Sequence, residues 1–187
     1  TTLDQGRDQV YEPERIFGGL VPGRMRRGDV DAGLAEAAVR VEATYRFAAN
    51  HHNPMEFLAT TASWDDDQLI LHDSTQGITA TQRTVAALLG IPTSNVRVQT
   101  RFVGGGFGCK AMIWPHVTLA ALAARHVGRP VKLAVTREQM FTSCGHREEQ
   151  EQYIALGATS EGRLTAVRHH KLSLTSPFDD WAEPSIG

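Results

Sequence analysis

Residues 101–110 read RFVGGGFGCK, and their types limit the chemistry they can do. A run of glycines costs conformational entropy on folding, so a packed chain keeps one where the backbone turns sharply or touches something closely. A strand running into glycine-rich backbone and then a helix is one way to present several N–H groups to an anion, usually phosphate or pyrophosphate. The two common phosphate motifs do not fit. G-x-x-x-x-G-K-[ST] fails because Lys110 is followed by Ala111, and G-x-G-x-x-G fails because Phe107 and Cys109 break its third position. Two readings of the run stay open, a crowded turn where helix and strand backbones meet or a loop brought close to a ligand. Phe107 bears on the choice. A bulky ring between glycines cannot relax the turn, so it is needed at that place, against core or ligand.

Other residues invite chemistry less strongly. His51/His52 and His169/His170 are adjacent pairs, and neighbours on a strand point to opposite faces, so neither pair chelates a metal by itself. Glu56, in NPMEF, reads as a carboxylate tying its loop to backbone N–H groups rather than a catalytic one. Cys109 and Cys144 match no zinc or iron–sulfur spacing and read as free thiols. A nucleophilic role for Cys109 lacks a base beside it in the sequence, and a packed small residue is the simpler reading. Trp64, Trp114 and Trp181 are not spaced as a stacking platform; Trp114 either lines a cavity beside the glycine run or anchors the helix that follows.

These residues need elements to position them. Residues 1–28 mix charge with Gly and Pro without period and read as a linker or an extended segment, with folded structure expected over 29–187. Asp29 is an N-cap for a short helix over 30–38, followed by a half-buried strand in which Val39, Val41, Ala43, Tyr45 and Phe47 alternate with polar residues. EFLATTASW and QLILHDS flank DDD as a hairpin, and Thr79 caps a helix ended by Gly90 and Pro92. NVRVQTRFV is a strand leading into the glycines. Beyond them HVTLAALAARHV is a helix closed by Gly128, VKLAV a buried strand, TREQMFTS a helical turn, and the runs around TSEG a second hairpin. The order predicts an α+β fold, a mixed sheet with hairpins and packed helices.

The bulk composition narrows function by exclusion. Of 187 residues 41% are hydrophobic and 21% charged, which is ordinary for a globular chain. A formal net charge of -2 and the lack of a Lys/Arg block give no footprint for nucleic acid or an anionic membrane surface. No stretch reaches the roughly 20 apolar residues of a bilayer span, and the N-terminus has no charged start followed by an apolar core. Small molecules and protein partners remain.

The segments GDVDAGLAEAAVRVEATYRF, HHNPMEF, STQG, VGGGFGCK, AALAARHVGRPVKLAVTREQMF, GHR and LGATSEGRLTAV, in this order, resemble the molybdenum-binding subunit of the xanthine oxidase and aldehyde oxidase family of molybdenum hydroxylases, most of all bacterial aldehyde oxidoreductases. The specific element is VGGGFGCK, where the family usually has G-G-G-F-G-G-K. The resemblance implies an oxidoreductase binding molybdenum through molybdopterin, in bacteria often as the cytosine dinucleotide. It also implies hydroxylation of aldehydes or N-heterocycles with oxygen from water. Electrons would leave through iron–sulfur clusters to flavin (FAD) in partner subunits or domains, and the rest of the molybdenum subunit would be a partner of these residues.

Carried over residue by residue, Gln76 of STQ aligns with the family glutamine that hydrogen-bonds an oxygen ligand of molybdenum, a place that suits an uncharged amide donor. Gly105, Gly106, Phe107 and Gly108 would bring backbone beside the cofactor, with the Phe107 ring walling the substrate channel. There are departures. Cys109 replaces a glycine, MEF stands where Met-Glu-Pro is common, and Ala111 sits where xanthine-oxidising members carry a glutamate, which favours aldehydes over purines. The family's general base is a glutamate in a glycine-rich motif far downstream, and Glu183 lies in no such motif. These residues alone are therefore expected to be inactive, and a non-catalytic binding or assembly module is the alternative.

Overall fold

The computed structural model describes residues 2–176, so Trp181 and Glu183 lie outside the described residues. In chain order the elements are a 3-10 turn Asp4–Gln9, β1 Arg15–Ile16, β2 Val21–Pro22, α1 Val30–Ala35, β3 Val39–Phe47, β4 Ala59–Asp65, β5 Gln68–Asp73, α2 Ile78–Leu89, β6 Val96–Gln99, α3 Pro115–Val127, β7 Val131–Ala134, α4 Arg137–Thr142, β8 Gln150–Ala158 and β9 Leu164–Ser173. They form two compact units, one of residues up to Asn50 and from Glu148, the other of His51–Arg147. Helices packed on antiparallel and mixed sheets make the fold α+β.

The first unit is a three-stranded sheet in the order β3-β8-β9, antiparallel throughout. Its long hairpin β8/β9 turns at Ser160–Gly162, where the alternating sequence placed it. α1 starts at Asp29, whose side chain accepts the Ala32 N–H at 3.0 Å, and it ends at Ala35 rather than at 38. Ala155 and Ala166 are buried beneath its Leu34, and a Cβ on Gly33 would come 2.9 Å from the Thr165 carbonyl, so glycine lets helix and strand touch. α1 packs on β9 and β8 and leaves β3, at the other edge, largely uncovered. β3 is accordingly not half-buried: Val41 is 55% and Phe47 53% exposed. Residues 1–28 hold the 3-10 turn and the ribbon β1/β2.

The second unit carries the candidate site. Its sheet runs β6-β5-β4-β7, with β4 antiparallel to β5 and β7 and with β5 parallel to β6 across the α2 connection. The β4/β5 hairpin turns through Asp66, at φ 49, as the aspartates led one to expect. α2 and α3 bury one face of the sheet, and Leu69, Leu71, Val85, Val96, Val117 and Ala121 are its core. Ala120, Ala121 and Ala124 have almost no side chain to hold α3 off β4. β7 is an edge strand, so only Val131 and Leu133 face the core and Lys132 and Ala134 are exposed, against the expectation of a buried strand. β6 stops at Gln99, short of the glycines.

Buried among these elements, His116 is 6% exposed and neither ring nitrogen has a hydrogen-bond partner. Desolvation holds its imidazole down at about 4, and Asp73 Oδ1 lies 4.0 Å from Nε2. As pH falls, the unfolded chain takes up this proton before the folded one. The contribution to stability is complete above about pH 6.5 and is lost towards pH 4, by about 3 kcal/mol for a shift of this size. Burial pushes the Asp73 carboxyl up, against the bond from Thr60, and that contribution is lost in the opposite sense, as pH rises. The difference isolates the histidine. His116→Leu should flatten the fall in melting temperature between pH 6.5 and 4, and equal slopes in the two proteins would remove the assignment.

Candidate functional site

In open sheets, ligands bind where the carboxyl ends of neighbouring parallel strands open a crevice. β5 and β6 are the parallel pair, and the segments leaving their carboxyl ends are Ser74–Gly77 and the glycine run. The topology alone therefore sets Gln76 beside Gly104–Gly108. α2 begins immediately after, capped by Gly77 rather than by Thr79, because the Thr75 hydroxyl accepts the Gly77 N–H at 3.0 Å and fixes the turn earlier.

The glycine loop is a tight turn and also an open surface. Gly105, Phe107 and Gly108 have φ of 89°, 54° and 99°. For phenylalanine that region is strained, and such strain persists where neighbours over-determine the backbone. Here Arg147 Nη2 donates to the Phe107 carbonyl at 3.0 Å, Cys109 N–H donates to Gly106 O at 2.9 Å, and Gly108 N–H donates to Gln76 Oε1 at 3.1 Å. The Phe107 ring folds over Gly105, where a Cβ would meet it at 3.1 Å, yet remains 63% exposed.

Gln76 is oriented by that same bond. Its oxygen faces the Gly108 N–H, so Nε2 is the end left over; it has no partner among the described residues, and the residue is exposed. A Cβ on Gly106 would sit 2.2 Å from Gln76 Oε1, so glycine there makes room for the amide. The Gly105 and Gly106 N–H groups also have no partner among the described residues. The amide and these two N–H groups form a small set of donors on one loop cluster. Gly108 N–H does not belong to the set, since Gln76 takes it.

Beneath the loop lies a residue that sequence reasoning passed over. Lys110 is 1% exposed, and its Nζ donates to Glu56 Oε2 at 2.5 Å and to Ser74 Oγ at 2.8 Å. Glu56 Oε2 also accepts from Gly104 N–H at 2.7 Å and Ser74 Oγ at 2.5 Å. Burial tends to raise the Glu56 carboxyl, but the hydrogen bonds from Lys110, Ser74 and Gly104 outweigh it and hold it below the ordinary range. The signal in the sequence was a lone lysine closing a glycine run, which a packed loop must neutralise. Arg137 was passed over as well: it donates to Asn53 Oδ1 and to the Pro54 and Met55 carbonyls at 2.7–3.0 Å and stacks on the Phe57 ring, bracing the Glu56 segment.

The remaining candidates are structural. Trp114 Nε1 donates to the Cys109 carbonyl at 2.7 Å and its ring packs with Leu58, Val135 and Met140, so it anchors the start of α3. Burial pushes the Cys109 thiol up, and burial together with the adjacent Cys109 pushes Cys144 up to about 12, leaving neither as a thiolate at neutral pH. Both are free cysteines. His51 and His52 stand in a loop, not a strand, with His51 edge-on to Phe141. His169 bonds Gln152 and His170 stacks on Tyr153, so that strand pair does diverge. Among the described residues no three His, Cys, Asp or Glu side chains are placed to hold a metal.

Residues 10–186 match the model of the molybdopterin cofactor-binding domain. The chain belongs to this family, in the molybdenum-binding subunits of the xanthine oxidase and aldehyde oxidase group. Across 150 residues this molybdopterin cofactor-binding domain is 38% identical to the aldehyde oxidoreductase molybdenum-binding subunit PaoC of Escherichia coli K12, covering 80% of the chain and 20% of the relative. Across 160 residues it is 39% identical to aldehyde oxidase 4 of Arabidopsis thaliana, covering 84% and 11%. Among solved structures it resembles the aldehyde oxidoreductase of Desulfovibrio gigas, at 26% identity and TM-score 0.66 over 78% of the chain and 16% of that structure. The quinoline 2-oxidoreductase of Pseudomonas putida 86 is similar at 29% and 0.64, over 78% and 19%. The domain thus spans a fifth or less of the length of these relatives.

The donor set fits the group that this family binds. Molybdopterin is an anion-bearing cofactor that brings its own sulfur ligands, so the protein needs hydrogen-bond donors and close backbone approach rather than a cluster of metal-binding side chains. Gln76 Nε2 and the Gly105 and Gly106 N–H groups, on backbone with no Cβ in the way, are of that kind.

Proposed function

We propose that the chain is part of a molybdenum hydroxylase that oxidises aldehydes, or N-heterocycles, with oxygen derived from water. Its molybdopterin is the cytosine dinucleotide form, and iron–sulfur and flavin (FAD) partner subunits or domains take the electrons. The observation that carries the reading is the unpartnered Gln76 Nε2, turned outward by the Gly108 N–H at the carboxyl ends of β5 and β6. When bound, the cofactor supplies the two-electron oxidant and the centre at which oxygen is transferred.

What these residues contribute is binding and orientation. The Gln76 amide would donate a hydrogen bond to the bound group without adding charge, and the Gly105 and Gly106 N–H groups would hold the cofactor's polar edge. Phe107, its backbone strained and its ring exposed, walls the substrate channel. Glu56 is a poor base, because three donors stabilise its anion. Glu56 is therefore not assigned as the base, which the resemblance puts in a glycine-rich motif downstream, and these residues by themselves are expected to be inactive. Ala111 offers no carboxylate to grip a purine, which favours aldehydes. The test is made on the full-length protein. Stoichiometric molybdenum and a higher kcat/KM for an aromatic aldehyde than for hypoxanthine are expected; absence of the metal, or no oxidation of any aldehyde or azaheterocycle, would overturn the reading in favour of a non-catalytic assembly module.

A further inference from the structure

We infer that Glu56 and Lys110 are a positioning pair: they hold the glycine loop in register with Gln76 and touch neither cofactor nor substrate. The inference rests on the reading above for what the loop serves, but its geometry is independent of it. The Lys110 side chain has no exposed surface. Removing an ammonium from water costs several kcal/mol, and one carboxylate offsets that only if the geometry is good and the other protons are bonded. A packed Leu or Met would fill the same space at no such cost. An ion pair kept in this place contributes direction, which an apolar side chain cannot supply.

The direction is legible in the bonds. Glu56 and Gly104 bind each other twice, Glu56 N–H to Gly104 O at 3.0 Å and Gly104 N–H to Glu56 Oε2 at 2.7 Å. A Cβ on Gly104 would lie 2.6 Å from Glu56 Cβ, so the two backbones are as close as glycine permits. Six residues on, Lys110 returns to the same carboxylate with its Nζ, while its carbonyl accepts the Gln76 N–H at 2.8 Å and the Thr75 hydroxyl at 3.2 Å. Ser74 Oγ completes the triangle, donating to Glu56 and accepting from Lys110. The loop 104–110 is therefore fastened at both ends to one carboxylate, and Gln76 hangs from the backbone of the lysine that makes the second fastening. Between the two ends sits Phe107 in its strained conformation. The pair sets where the donors lie.

A purely structural role is separated from a positioning one by removing both charges together. In the full-length protein, Lys110→Met leaves the half-buried Glu56 carboxylate without its cation and should lower the melting temperature. Lys110→Met with Glu56→Gln removes both ions and should recover most of that loss. A positioning pair predicts that the double variant nonetheless stays impaired: amide hydrogen exchange in a peptide covering 104–110 faster by about tenfold or more, and kcat down by about tenfold or more with KM little changed. Lys110→Arg, which keeps the charge, should restore part of the protection. Wild-type exchange or wild-type kcat in the stability-recovered double variant would overturn the inference. A wild-type protein free of molybdenum would instead overturn the preceding reading, and the exchange measurement would still decide whether the pair holds the loop.

Discussion

Gln76→Ala in the full-length enzyme should reduce kcat by about 100- to 1,000-fold, the usual cost of losing one donor aimed at developing charge, while the bound molybdenum stays close to the wild-type content. The reason for the split is that one amide does two separable things. Its oxygen takes the Gly108 N–H, one of several bonds that shape the loop, and its nitrogen faces outward without a protein partner. The loop survives loss of the first because Arg147, Gly106 and Glu56 still hold it. Residues 101–110 hold no side-chain amide to replace the second. Gln76→Glu sharpens the test, since a carboxylate still accepts from Gly108 but cannot donate. If donation is the function, Glu is as damaging as Ala; if Glu retains wild-type turnover, the amide acts through its oxygen alone and the assigned role is wrong. Metal content and steady-state kinetics on the same preparations provide the readout.

How much of this could be read from the sequence depends on where the deciding contact lies. Hairpins β4/β5 and β8/β9 were legible because both strands and the turn residues between them are local, and period-2 alternation survives whatever packs on top. The ends of α2 and α3 at Gly90 and Gly128 were legible for the same reason, each with φ near 65°. Burial was not local. β3 and β7 carry the pattern of packed strands but sit at sheet edges, and only the tertiary layering reveals that β3 is exposed on both faces and β7 on one. The start of α2 moved from Thr79 to Gly77 because a hydroxyl two residues before the cap took the free N–H, a competition between two plausible caps that the sequence leaves unresolved.

The candidate site divides along the same line. Gln76 and the glycines were proposed through the family resemblance, and the topology explains their adjacency, since both leave parallel strands at the same end. Glu56 was read as a carboxylate bonded to backbone N–H, which describes its bond to Gly104 but misses the cation. Lys110 stands 54 residues away from it, and no periodicity links them. The strain at Phe107 was equally out of reach. A sequence shows that a ring lies among glycines, while the positive φ follows from Arg147 pulling on its carbonyl and from the bonds of Gly106 and Gly108 on either side.

Gly106→Ala should reproduce the Gln76→Ala phenotype, lowering kcat by about 100-fold or more, although the two side chains are chemically unrelated. Gly106 does not have a positive φ, so alanine meets no backbone penalty there. It meets Gln76: the new methyl would lie 2.2 Å from Oε1, 2.5 Å from Cδ and 2.9 Å from Cγ, far inside contact distance, and the flexible amide is what gives way. Expelled from its place, Gln76 loses the Gly108 bond that turns Nε2 outward, and the donor is misaimed without being deleted. This makes a coupling prediction. Residues that act through one another do not add, so Gly106→Ala introduced into Gln76→Ala should cost little further activity, whereas independent effects would multiply to about 10,000-fold or more. Gly90→Ala is the control for a bare backbone effect. There φ is 65° with nothing within 4 Å, so alanine should cost about 1 kcal/mol of stability and leave kcat unchanged. Multiplicative losses in the double variant would mean that the added methyl acts on its own, by blocking close approach to the Gly106 backbone, and not by displacing the amide.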